Sequence, residues 1–190
     1  MIEDYNKELD IILNGVCDGL RQEVRSRYLT QLVAPLQITT VAEEREAQLR
    51  ATISFHLKML GFTVHTEGYF YNQPPERRQD LCIYLPASRR YLFLEVKPFH
   101  PYTGIPVVIE DIEKLESIND PDDKYNGLIA LGFRNPIKTY DRFPQKYQDL
   151  SQEITDNHRY REIGIRTVPL DGMDRNGSYA MVGLWVRKLR

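Results

Sequence analysis

The sequence predicts an α/β fold with a central mixed β-sheet flanked by helices, and three observations carry that expectation. Apolar residues recur at helical spacing over residues 3–60, two alternating segments near the middle are joined only by PASRR, and a short apolar strand follows an acidic amphipathic helix. A five-residue joint permits a hairpin and no crossover, so the two alternating segments must pair antiparallel. Strand, helix and strand in succession instead imply a crossover packed over the sheet. At 190 residues the chain can bury a substantial core, and a single domain over 1–190 is expected.

The elements follow in order. Leu9, Ile12, Leu13, Val16, Cys17, Leu20, Val24 and Tyr28 share helical spacing, and Pro35 closes one or two helices within an N-terminal region, 1–38, suited to covering a sheet or a partner subunit. A second helix is expected over 41–60. Thr39 or Thr40 can cap its start, Thr40 being followed three residues later by Glu43, and Gly61 takes the left-handed position at its end. Its apolar stripe is Ala42, Leu49, Ile53, Leu57 and Leu60, and Glu46 falls on the same face, which turns a carboxylate toward the protein.

The first strand is expected over Phe62–Tyr71, with Gly68 as a bulge and Pro74 and Pro75 beyond its end. Gln79–Leu85 and Tyr91–Lys97 are the hairpin. Leu81, Ile83 and Leu85 alternate with Asp80, Cys82 and Tyr84, and Leu92, Leu94 and Val96 alternate with Tyr91, Phe93, Glu95 and Lys97, so each strand has one aliphatic face. A turn centred between Ala87 and Ser88 sets Leu81 across from Leu94 and Asp80 across from Glu95. Pro98–Pro106 reads as a loop, a helix begins near Val107 with Ile109, Ile112, Leu115 and Ile118 on one face, and Gly127–Phe133 is a strand. A helix over 144–162 and closing strands Ile165–Leu170 and Tyr179–Val186, either side of DGMDRNG, complete the chain.

Composition narrows the function classes. Apolar residues make up 42% and charged residues 27%, as in globular chains, and the formal net charge of −2 argues against coating nucleic acid by bulk charge. No apolar run approaches the roughly 18 residues of a membrane span, and MIEDYNKELD is acidic where a secretory signal is basic and then apolar, so a cytoplasmic protein without a membrane partner is expected. Cys17 and Cys82 are far apart in sequence and read as reduced thiols. The four histidines show no H-x-x-x-H spacing, and no phosphate-loop, nucleophile-elbow or dinucleotide motif occurs.

The chemistry-bearing constellation is the hairpin. Asp80 and Glu95 facing each other repel unless something neutralises them, and a divalent cation does so. On that reasoning alone, removing one acid relieves repulsion and stabilises the metal-free protein. Mg²⁺, or Mn²⁺ in its place, takes hard oxygen ligands: the two carboxylates, the Val96 carbonyl and waters suffice. Lys97, two residues beyond Glu95 on the same face, can hold or help deprotonate a water aimed at phosphorus and offset transition-state charge. Ordinary roles are also open to these residues: Asp80 pairing with Arg78, Glu46 with Arg50, and Glu95 with Lys97 forming a solvated strand face.

Asp80, then Glu95-Val96-Lys97, preceded by a helix bearing Glu46 and followed by a helix and the strand 127–133, resembles the core of the PD-(D/E)XK nuclease superfamily over roughly residues 41–133. Gln79 stands where that motif has proline. The resemblance implies a restriction-endonuclease-like core and metal-dependent hydrolysis of DNA phosphodiesters. Asp80 and Glu95 would be ligands, Lys97 the catalytic lysine and Glu46 the helix carboxylate near the metal. A double-strand cut by such a site requires two copies, hence a homodimer. Arg77, Arg78, Arg89, Arg90, His100, Arg134 and Lys138 flank these elements as candidate phosphate contacts, and Glu67 is a further acid from the first strand. The competing reading is a nuclease-like fold kept as a DNA- or protein-binding module.

Overall fold

The computed structural model describes residues 2–33, 42–68, 79–99, 104–116, 125–134, 143–169 and 179–188, with side chains at 5–22, 49–66, 80–97, 99, 105–113, 127–130, 143–169 and 179–187. The elements run α1 (Ile2–Val33), α2 (Ala42–Met59), β1 (Thr63–Gly68), β2 (Gln79–Leu85), β3 (Arg90–Phe99), α3 (Gly104–Glu116), β4 (Tyr125–Arg134), α4 (Phe143–Asp156), β5 (Arg161–Pro169) and β6 (Tyr179–Lys188). The strands form one mixed six-stranded sheet, ordered β1-β2-β3-β4-β6-β5. Only β3 and β4 pair in parallel, and α3 joins them; the other four pairings are antiparallel.

The alternation along the strands divides the interior into two clusters, one on each face of the sheet. Leu81, Ile83, Leu85, Leu92, Leu94 and Val96 pack with Leu9, Ile12, Leu13 and Val16 of α1 and Leu49, Ile53 and Leu57 of α2. Phe99, Leu128, Ala130 and Trp185 pack with Val108 and Ile112 of α3 and Tyr147, Leu150 and Ile154 of α4. Trp185 is fully buried, and a β-carbon at Gly183 would overlap its ring, which is why a glycine stands in the middle of β6. The neighbouring Tyr147 hydroxyl donates to the Ala130 carbonyl at 2.6 Å, so the phenol is buried without an unmet donor.

Local signals placed several boundaries. Gly61, at φ 91°, ends α2 in a Schellman motif, with its N–H donating to the Lys58 carbonyl (3.0 Å) and the Phe62 N–H to the Leu57 carbonyl (3.1 Å). Other boundaries differ from expectation. Helix α3 starts at Gly104, before Val107, and takes Pro106 into its first turn, where the missing N–H has no helical acceptor to lose. Gly68 pairs in unbroken register with Gln79 and makes no bulge. Helix α4 stops at Asp156, and Arg159 at φ 58° turns the chain into β5, which begins at Arg161 where a helix was expected. The irregularity lies instead between Glu162 and Gly164, opposite β6. That pairing is long-range, so local periodicity carries no sign of it.

Helix α1 fixes the turn end of the hairpin. Buried Glu8 accepts the Ala87 N–H at 2.7 Å and the Ser88 N–H at 3.1 Å, one on each oxygen, and Arg90 lies over the Tyr5 ring. A carboxylate suits two convergent N–H donors, whereas an amide would turn its NH₂ toward one of them. Glu8→Gln is therefore expected to cost about 1.5–3 kcal/mol, the range for hydrogen bonds to a charged group. It should appear as a lower urea midpoint at unchanged slope; an unchanged midpoint would refute the assignment.

Candidate functional site

The hairpin carries three of the expected residues, Asp80 on β2 and Glu95 and Lys97 on β3. Leu81 lies across from Leu94 and Cys82 across from Phe93, as the turn predicts, and the paired ladder ends there, one step short of Asp80 and Glu95. At that step a side chain enters the hydrogen bonding, the Val96 N–H donating to Asp80 Oδ2 at 2.8 Å. Both acids are buried, Asp80 at 6% and Glu95 at 5% exposure, which is where an uncompensated carboxylate is costly.

Asp80 has a counter-ion within the chain. Arg50 of α2 donates from Nη1 to Asp80 Oδ1 at 2.6 Å, with the arginine side chain 22% exposed and the aspartate 9%. This corrects the argument that the acid pair needs a metal to be tolerated, and with it the expectation that losing Asp80 relieves repulsion. Asp80 is also not dependent on Arg78 for an ionic partner. Arg50 lies one residue after Leu49 and three before Ile53, both buried, so its position at the margin of the inward stripe was readable, but its partner was not.

Lys97 also has a partner that the sequence did not indicate. Its Nζ lies 2.7 Å from Asp111 Oδ2 on α3, and both side chains are about one-fifth exposed. Asp111 neighbours inward Ile112 and follows Val108 by one helical turn, which is the only local hint of its direction. The crossover from β3 through α3 to β4 thus lays the helix carboxylate against the strand lysine.

The remaining candidates are placed as follows. Glu46 is on α2, one turn before Arg50 and on the same side of the helix, and Glu67 is on β1, but the side chains of both lie outside the described residues. Arg77, Arg78, His100 and Lys138 also lie outside them, as does the side chain of Arg134 at the end of β4. Arg89, exposed in the hairpin turn at φ 54°, and Arg90 are at the far end of the hairpin, five steps along β2 from Asp80, or about 17 Å at strand rise. Burial pushes the Cys17 thiol up to about 11, so it carries no thiolate at neutral pH, and both cysteines are free.

Among the described residues no group of three or more His, Cys, Asp or Glu is placed to hold a metal ion. The donors present nonetheless fit a hard cation of the Mg²⁺ type. Such ions use one or two carboxylates and fill their remaining positions with water and phosphate, and each Asp80 oxygen retains acceptor capacity beyond its one hydrogen bond. No helix among the described residues is long and apolar enough to cross a membrane. Comparison with family models, with curated proteins and with solved structures returns no match.

Proposed function

We propose that this chain is a metal-dependent DNA endonuclease with a restriction-endonuclease-like core, cutting phosphodiester bonds as a homodimer in the manner of a type II restriction enzyme. The observation that carries the reading is the burial of two acids on adjacent strands, Asp80 on β2 and Glu95 on β3, with Lys97 two residues beyond Glu95. Asp80, Glu95 and the Val96 carbonyl would hold Mg²⁺ or Mn²⁺, with Glu46 reaching toward it from α2. The ion would polarise a phosphate oxygen and acidify water.

The chain's own residues account for the rest. An ammonium held against the Asp111 carboxylate donates hydrogen bonds, so Lys97 orients the attacking water and meets the charge that develops on phosphorus oxygens. Arginines flanking the site elements supply phosphate contacts.

A second reading has its own support. Arg50 against Asp80 and Lys97 against Asp111 match acid to base without any metal, as a binding module descended from a nuclease would. The experiment that separates the two incubates the purified protein with supercoiled, linear, branched and single-stranded DNA in Mg²⁺ and in Mn²⁺. Cleavage that vanishes with chelator is expected. Binding without any turnover, insensitive to divalent metal, would replace the endonuclease with the binding module.

A further inference from the structure

The counter-ion of Asp80 is a side chain from another element, Arg50 of α2. Its Nη1 lies 2.6 Å from Asp80 Oδ1, and the arginine side chain remains partly solvent-exposed. The other Asp80 oxygen is tied to the Val96 backbone, which cannot withdraw without opening β3. Any cation arriving at Asp80 therefore meets a fixed oxygen on one side and an exchangeable one on the other. Two cations on one carboxylate repel each other across a few ångströms of partly buried space.

We infer that Arg50 is the resident cation of the metal-free site, which holds the Asp80 charge and gives way when a divalent ion binds. This rests on the endonuclease reading for the identity of the site, and it adds a device that keeps the acids paired while metal is absent. The arginine charge costs metal affinity, because the pair must loosen before Asp80 can serve fully as a ligand. It also supports the fold in the metal-free state, because a buried carboxylate left without a counter-ion is destabilising. Released from Asp80, the guanidinium can pair with a phosphate oxygen instead.

The test is calorimetric Mn²⁺ titration of the whole chain without DNA, comparing wild type with Arg50→Ala and Arg50→Gln. Both variants should bind Mn²⁺ more tightly, by about tenfold if the pair is worth a typical charged hydrogen bond. Both should also melt lower in chelator and gain more from added Mn²⁺ than wild type does. Affinity equal to or weaker than wild type overturns the role of Arg50 and leaves the endonuclease reading standing. Tighter binding in the variants, with no DNA cut by wild type, upholds Arg50 and overturns the endonuclease. No binding of Mn²⁺ by any form overturns both. Should neither variant fold, the wild type decides: the Arg50 guanidinium resonance must move when Mg²⁺ is added, and an unmoved resonance refutes the exchange.

Discussion

Lys97→Ala is expected to lower the rate of DNA cleavage by about 10²–10³ while leaving metal binding and most DNA binding in place. That factor is what one positioned charge-stabilising group is typically worth, about 2.7–4 kcal/mol of barrier. The loss should fall on the rate at saturating substrate, because Lys97 would act on the attacking water and on the transition state more than on bound DNA. Folding should survive. The Lys97–Asp111 pair is partly exposed on both sides, and pairs of that kind contribute about 0–1 kcal/mol. Single-turnover cleavage, paired with a Mn²⁺ titration and a melting curve, checks all three statements. A variant that cuts at the wild-type rate removes Lys97 from the mechanism even if the protein is a nuclease.

Asp80→Ala is expected to fail in two ways at once. Measurable Mn²⁺ binding should disappear with the ligand, and the metal-free protein should lose about 2–3 kcal/mol of stability. The second effect comes from the Arg50 guanidinium and the Val96 N–H, which both donate to this carboxylate. Breaking a fully buried pair costs about 3–5 kcal/mol, and the partial exposure of Arg50 lowers the figure. For a chain of this length that is a drop of roughly 5–10 °C in melting temperature. Repulsion between Asp80 and Glu95 taken alone gives the opposite sign, so the direction of the shift in chelator discriminates between the two accounts. A higher melting temperature would mean that the Arg50 contact is not formed in solution.

What could be read without the structure was whatever depends on neighbours in the chain. Strand residues alternate with a period of two, so Leu81, Ile83, Leu85, Leu92, Leu94 and Val96 declared a buried face, and the short PASRR joint set Leu81 across from Leu94. Gly61 declared the end of α2 because only a residue at ease at positive φ can close a Schellman motif there. Alternation also predicted which strand positions Asp80, Glu95 and Lys97 take, a statement about the strands that carry them and not about contacts between their side chains.

Everything that sets the charge of those residues was decided by tertiary structure. Arg50 reaches Asp80 from α2, Asp111 reaches Lys97 from α3, and Glu8 reaches Ala87 and Ser88 from α1. Each contact joins a helix to a strand or turn through a long gap in sequence, and its existence depends on how the helix seats on the sheet. Helical periodicity says which side of a helix faces inward and nothing about which strand lies beneath it. The start of β5 at Arg161 belongs to the same class, since its pairing partner Val186 arrives late in the chain. The sequence by itself therefore determined which strands carry the acids and the lysine. Only the packing of α1, α2 and α3 on the sheet decided what neutralises them, because ion pairs form between side chains that the fold brings within a few ångströms, whatever their separation along the chain.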